Sequence, residues 1–181
     1  NMTVFSPADH VQTKAITKFL TGYEGPAYLR LSRAETEQIF SDDYQFELGK
    51  VDLLVQGDDL AIISTGVLTS AALRAARQLE SRGIKAAVIN VSAIKPLDRK
   101  DLLKAIGGNR RVITFEEHSI YGGLGSTVAE ILIQEKNGYQ MDIIGIRDLF
   151  GQSAESHQEL LKHYHLTEED LIDAATFLAS K

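Results

Sequence analysis

Leu60-Ala61-Ile62-Ile63-Ser64-Thr65-Gly66 is followed by a helix-patterned run from Leu68 to Ser81, the pair Arg82-Gly83, and a second apolar run, Ala86-Ala87-Val88-Ile89-Asn90-Val91. These stretches decide the fold. Short apolar runs bounded by turn residues read as strands buried on both faces, because a strand with one wet face would alternate instead. Between them Leu68, Ala72, Ala75, Ala76 and Leu79 recur at the helical period and give the helix one apolar face. Arg82-Gly83 ends that helix, since glycine enters the left-handed cap at least cost. Strand, helix, strand makes a parallel pair with a crossover. A parallel sheet of this kind is covered by helices on both faces.

Reading outward, Pro96-Leu97-Asp98 leads into a helix that stops at Gly107-Gly108, and Arg111 to Phe115 is the next strand. Gly122-Gly123-Leu124-Gly125-Ser126 opens a helix to about Glu135, Asp142 to Ile146 is the last strand, and helices over Ser156 to Tyr164 and Thr167 to Ala179 finish the chain. Thr167 and Asp170 have the spacing of a helix N-cap. Upstream, Phe46 to Gln56 reads as short strands turning near Gly49-Lys50. The expectation is one complete α/β domain over residues 45–181. Residues 35–44 are polar and acidic and read as a linker. Residues 1–34 hold a strand (Met2 to Phe5), a helix started by Ser6-Pro7-Ala8-Asp9, and a strand (Ala27 to Leu31). That is too little to cover both faces of a sheet, so they read as the remnant of a second, preceding α/β domain and the chain as a piece of something longer.

Composition narrows the function classes. The 181 residues are 44% apolar and 24% charged, with no cysteine and a formal charge of −6. Thiol chemistry, disulfides and zinc–thiolate sites are excluded. Nucleic acid is not the expected partner, because phosphate binding needs clustered Lys and Arg, and the Lys95–Lys104 cluster is broken by Asp98 and Asp101. The apolar runs are too short to span a bilayer. A cytoplasmic location with no membrane partner is the expectation.

Gly122-Gly123-Leu124-Gly125-Ser126 places free backbone N–H groups at a helix start, where an anion could sit. It lacks the Gly-Lys-Ser/Thr ending of a nucleotide loop and the glycine spacing of a dinucleotide fingerprint. Tight packing of the helix is the preferred reading. Glu116-Glu117-His118 lies at the carboxyl end of a strand, where open α/β sheets bind ligands. A carboxylate beside a histidine suits proton transfer or metal ligation, yet neighbours in an extended chain point to opposite faces. No other His or carboxylate has ligand spacing, so no metal site is expected and these residues read as a polar loop ordering a subunit contact. His163 and His165 suit a solvated helix end, and His10 and His157 join no constellation. Lys95-Pro96-Leu97-Asp98 reads as a rigid corner. Arg33 follows a strand end, where a guanidinium can grip a phosphate through paired hydrogen bonds; composition alone would make it a surface arginine.

Several phrases together resemble the transketolase family. Asn1-Met2-Thr3-Val4, Ser6-Pro7-Ala8-Asp9 and Gly25-Pro26-Ala27-Tyr28-Leu29-Arg30-Leu31-Ser32-Arg33 resemble the end of its pyrimidine-binding domain. Ile63-Ser64-Thr65-Gly66, Ile94-Lys95-Pro96-Leu97-Asp98, Thr114-Phe115-Glu116-Glu117-His118-Ser119, Gly122-Gly123-Leu124-Gly125-Ser126 and Gly145-Ile146-Arg147-Asp148-Leu149-Phe150-Gly151 resemble its C-terminal domain, in order. The wording is most similar to the C-terminal subunit of bacterial transketolases encoded in two pieces. The resemblance implies a three-layer α/β/α fold with a mixed, mostly parallel five-stranded sheet, one edge strand being antiparallel. It implies an intact enzyme that uses thiamine diphosphate and a divalent metal, magnesium, for two-carbon ketol transfer between sugar phosphates. Within it this chain would bind no cofactor alone, supply no catalytic residue, and help hold a dimer and an N-terminal thiamine-diphosphate-binding subunit or domain. Arg33 matches the arginine that binds the substrate phosphate. Deoxyxylulose-phosphate synthase and the thiamine-dependent subunit of 2-oxo-acid dehydrogenases share the domain and stand as alternatives. A ligand-binding or assembly module centred on residues 122–126 is a third.

Overall fold

The computed structural model describes residues 1–181. Along the chain it has β1 (Thr3–Phe5), α1 (His10–Leu20), β2 (Ala27–Leu29), β3 (Asp52–Val55), β4 (Leu60–Ser64), α2 (Leu68–Ser81), β5 (Ala86–Asn90) and β6 (Ala93–Lys95). Then follow α3 (Arg99–Ile106), β7 (Arg111–Ser119), α4 (Leu124–Leu132), β8 (Gln140–Ile146), α5 (His157–His163) and α6 (Glu168–Ala179). Five strands form one sheet in the order β3-β5-β4-β7-β8. All its pairings are parallel except that of the edge strand β3 with β5.

The alternation of side chains along central β4 builds the three layers. All five of its residues are buried. Leu60 and Ile62 face one side, where α2 and α6 bring Leu68, Ala72, Leu79, Leu171 and Ala175. Ala61 and Ile63 face the other, against Leu102 and Ile106 of α3 and Leu124 and Val128 of α4. Each large aliphatic side chain fully buried here contributes about 1.5–3 kcal/mol relative to exposure. The expected helix stops and starts are present: Gly83 adopts φ +80°, and Thr167 with Asp170 forms a reciprocal capping box.

A second, small sheet runs β2-β1-β6, with β1 parallel to β2 and antiparallel to β6. Nothing local in the sequence announces β6, which is only three residues long and is defined by a partner some ninety residues upstream. Asp9 caps α1 by accepting from Gln12 N at 2.8 Å, and its other oxygen accepts from Ile39 N at 2.7 Å and Phe40 N at 2.9 Å. That carboxylate ties residues 39–40 to α1 and seats Phe40 against Ala8 and Val11.

The expected strand pair over Phe46 to Gln56 needs correction. Only Asp52–Val55 is a strand. Phe46 and Leu48 instead pack under α1, with Phe46 edge-on to Phe5 at 5.9 Å and to Phe19 at 5.2 Å between ring centroids. Their alternation serves this plug rather than a sheet.

Candidate functional site

Strands β2, β4 and β7 end on one side, and their carboxyl ends surround a cleft of about 580 Å³. The carboxyl ends of parallel strands leave loops free to hold side chains, which is why open α/β folds bind ligands there. Arg30 N donates to Phe5 O at 2.8 Å, fixing the chain just past β2, and Arg30 and Arg33 both line the cleft. Thr65-Gly66 closes β4: Thr65 Oγ1 donates to Val91 O at 2.6 Å, and Gly66 N donates to Ser6 O at 3.2 Å. Gly66 has φ +62°, and a Cβ there would lie 2.7 Å from Ser6 Oγ, so this position needs glycine twice over. Opposite them, His157 Nε2 lies 3.0 Å from Glu117 Oε2, both side chains about three-tenths exposed. The ion pairs of the chain engage Lys50, Arg74, Arg99, His157 and His165, which leaves Arg30 and Arg33 without a carboxylate partner.

Strand β7 runs through Glu116-Glu117-His118 and alternates them, as extended backbone requires. Glu117 turns to His157 in the cleft. His118 is exposed at one edge, and partial desolvation, then the Arg30 charge, hold its ring below the ordinary imidazole range. Glu116 is fully buried. Its Oε2 accepts from Leu124 N and its Oε1 from Gly125 N, each at 2.7 Å. Burial pushes this carboxyl up, while the Gly125 and Leu124 N–H groups and the Arg30 charge oppose the rise.

The anion at the glycine-rich helix start is therefore the chain's own Glu116. A Cβ on Gly123 would lie 2.2 Å from Glu116 Oε2, and one on Gly125 would lie 2.5 Å from Ile143 Cγ2. Gly122 N donates to Ser126 Oγ at 2.9 Å, and that hydroxyl donates to Ile120 O at 2.8 Å. The N–H groups of Gly122, Leu124 and Gly125 are thus engaged within the chain, and the glycines at 123 and 125 provide the clearance.

Of the residues singled out in sequence, Arg33 and Glu117 reach the cleft, whereas Glu116, Gly123 and Gly125 form a structural joint beside it and His118 does not face it. His163 and His165 do not line the cleft, and His165 pairs with Asp170 at 3.4 Å. Sequence reading misses Arg30, Ser6 and His157. Arg30 carries the same signal as Arg33, an arginine at a strand end, but His157 meets Glu117 across forty residues and no spacing announces it. No three His, Cys, Asp or Glu side chains gather to hold a metal ion. No helix is long and apolar enough to cross a membrane.

The fold and cleft define a class, a three-layer α/β/α domain with a polar, arginine-bearing cleft at its strand ends. The model of the transketolase C-terminal domain matches residues 49–171, and the chain belongs to that family. It is 38% identical over 181 residues to one of the subunits of an apulose-4-phosphate transketolase from Phocaeicola vulgatus, covering 99% of this chain and 57% of that one. A solved split-gene transketolase, described as an inactive beta4 tetramer, superposes with a TM-score of 0.92 at 41% identity, covering 99% of this chain and 58% of that one. A 1-deoxy-D-xylulose-5-phosphate synthase of Geobacter sulfurreducens is 38% identical over 152 residues, 82% of this chain and 24% of that one. The chain thus spans just over half the length of these split relatives.

Proposed function

We propose that this chain is the C-terminal part of a thiamine-diphosphate-dependent transketolase made in two pieces, and that the intact enzyme moves a two-carbon ketol unit between sugar phosphates. Residues 1–34 would complete a pyrimidine-binding domain, 35–44 would link, and 45–181 would serve assembly. Arg33 carries the reading. It lies in the loop four residues past the end of β2, lines the cleft and has no carboxylate partner. A guanidinium so placed grips a phosphate through two parallel hydrogen bonds and fixes the substrate tail, which contributes orientation rather than bond breaking. The cofactor and its magnesium belong to a partner subunit or domain, where the cofactor supplies the electron sink for carbon–carbon cleavage.

Assembly falls to the loops after β7 and β8. Tyr121, Leu149 and Phe150 are 68%, 59% and 93% exposed, and Ile120 N donates to Ile146 O at 3.0 Å, which brings these loops together. An apolar patch of this kind on an otherwise charged surface suits a second subunit. The tetramer formed by the split-gene relative supports it.

The test grafts residues 1–181 in place of the matching part of the Phocaeicola vulgatus relative, with that enzyme's companion subunit added. Ketol transfer from xylulose 5-phosphate to ribose 5-phosphate, or turnover of apulose 4-phosphate, is the expected result. Arg33→Ala should lower kcat/KM at least tenfold, the loss of one charge-assisted contact of about 1.5–3 kcal/mol. A chimera that assembles and binds thiamine diphosphate but transfers no ketol group overturns the proposal. One that forms deoxyxylulose phosphate instead favours the synthase reading, which the Geobacter sulfurreducens similarity motivates.

A further inference from the structure

Arg33 is not the only cation in the cleft. Arg30 is half-buried, its backbone is pinned by the bond from its N–H to Phe5 O at 2.8 Å, and no carboxylate pairs with it. Two like charges lining one cleft repel until an anion lies between them. Of the cleft's own carboxylates, Glu117 is hydrogen-bonded to His157 and Glu155 is exposed at the rim, and neither forms an ion pair with either arginine. Among the cleft's hydroxyls, Thr65 Oγ1 is spent on Val91 O, while Ser6 Oγ has no hydrogen-bond partner although the residue is only 3% exposed. The lack of a side chain at Gly66 keeps that oxygen uncovered.

We propose that Arg30 and Ser6 are further substrate-binding residues, which with Arg33 form a seat for the phosphate of a small phosphorylated sugar, and that His157, held by Glu117, lines its polyol end. This rests on the Arg33 reading above. Both guanidiniums then offer paired N–H donors to one dianion, the geometry that suits phosphate best. The Ser6 hydroxyl adds a neutral donor. The Glu117 carboxylate holds Nε2 of His157 and leaves Nδ1 free for a sugar hydroxyl.

The competing role for Arg30 is to offset the buried charge of Glu116, which it also influences. The experiment separates the two. The 181-residue chain is titrated by calorimetry with ribose 5-phosphate, inorganic phosphate and ribose, and the exchange of the Gly125 amide is followed in each variant. Expected are binding of ribose 5-phosphate, weaker binding of inorganic phosphate, and none of ribose. Arg30→Gln and Arg33→Gln should each raise Kd about tenfold or more. Arg30→Lys should restore part of the loss. His157→Gln should weaken ribose 5-phosphate but leave inorganic phosphate unchanged.

Loss of binding in Arg33→Gln but not in Arg30→Gln overturns the two-arginine seat and leaves the Arg33 reading standing. The reverse pattern removes Arg33 and keeps Arg30. Loss of Gly125 protection together with binding in Arg30→Gln, without rescue by lysine, overturns the proposal in favour of the Glu116 role. If wild type binds no phosphate-bearing probe, the seat is refuted, and ketol transfer by the Arg33→Ala chimera judges that residue separately.

Discussion

Glu116→Gln changes a single atom in shape and tests the joint beneath the site. Both carboxylate oxygens of Glu116 accept backbone N–H groups at 2.7 Å, from Leu124 and Gly125, in a fully buried position. A glutamine can present one oxygen; its amide nitrogen then faces the other N–H, donor against donor. Leaving one buried N–H unsatisfied costs about 1–3 kcal/mol. Loss of the negative charge at the start of α4 adds about 0.3–1 kcal/mol. Part of this is offset, because burial pushes the Glu116 carboxyl up and its ionised form is strained for lack of water. A net loss of about 1–3 kcal/mol remains, which for a chain of this size lowers Tm by about 3–10 °C. Calorimetric melting measures it, and hydrogen exchange at Leu124 and Gly125 should quicken about 5- to 100-fold. A Tm within about 1 °C of wild type, with exchange unchanged, would refute the claim that this carboxylate holds the helix.

Three substitutions elsewhere have outcomes set by the geometry. Gly125→Ala puts a Cβ 2.5 Å from Ile143 Cγ2 and 2.9 Å from Thr114 Oγ1; overpacking of about 1–3 kcal/mol outweighs a helix-propensity gain of about 1 kcal/mol, so the urea midpoint should fall with its slope unchanged. Asp52 is raised by burial, against bonds from Asn90, Tyr44 and Gln12; a folded pKa above the unfolded one means the charged form weakens the fold, so its contribution improves as pH falls from neutrality towards the ordinary aspartate range, and Asp52→Asn should remove that part of the slope in urea melts at successive pH values. Phe150→Ser should reduce the oligomer mass in light scattering while leaving monomer stability within about 0.5 kcal/mol, because the side chain is 93% exposed.

The large sheet is legible because each strand and helix carries its own period: β4, α2 and β5 can be outlined to within a residue from their apolar residues alone. The small sheet is not, since β6 and the Phe46–Leu48 plug acquire their roles only from Phe5 and Phe19, far away in sequence. The site is half legible. Arg33 can be picked out, and the Glu-Glu-His and Gly-Gly-Leu-Gly phrases stand out, but as separate features. Their meaning is a contact across eight residues, one carboxylate filling the helix start that the glycines leave open. His157 needs the turn at Ser156 to meet Glu117, and no local pattern encodes that.

If the chain is the assembly and substrate-tail part of a split enzyme, the thiamine cofactor lies outside it. Titration of the isolated 181 residues with thiamine diphosphate and magnesium, followed by calorimetry, tests this most directly. The predicted result is no saturable binding at micromolar concentrations of cofactor. Stoichiometric, tight binding by this chain alone would contradict it.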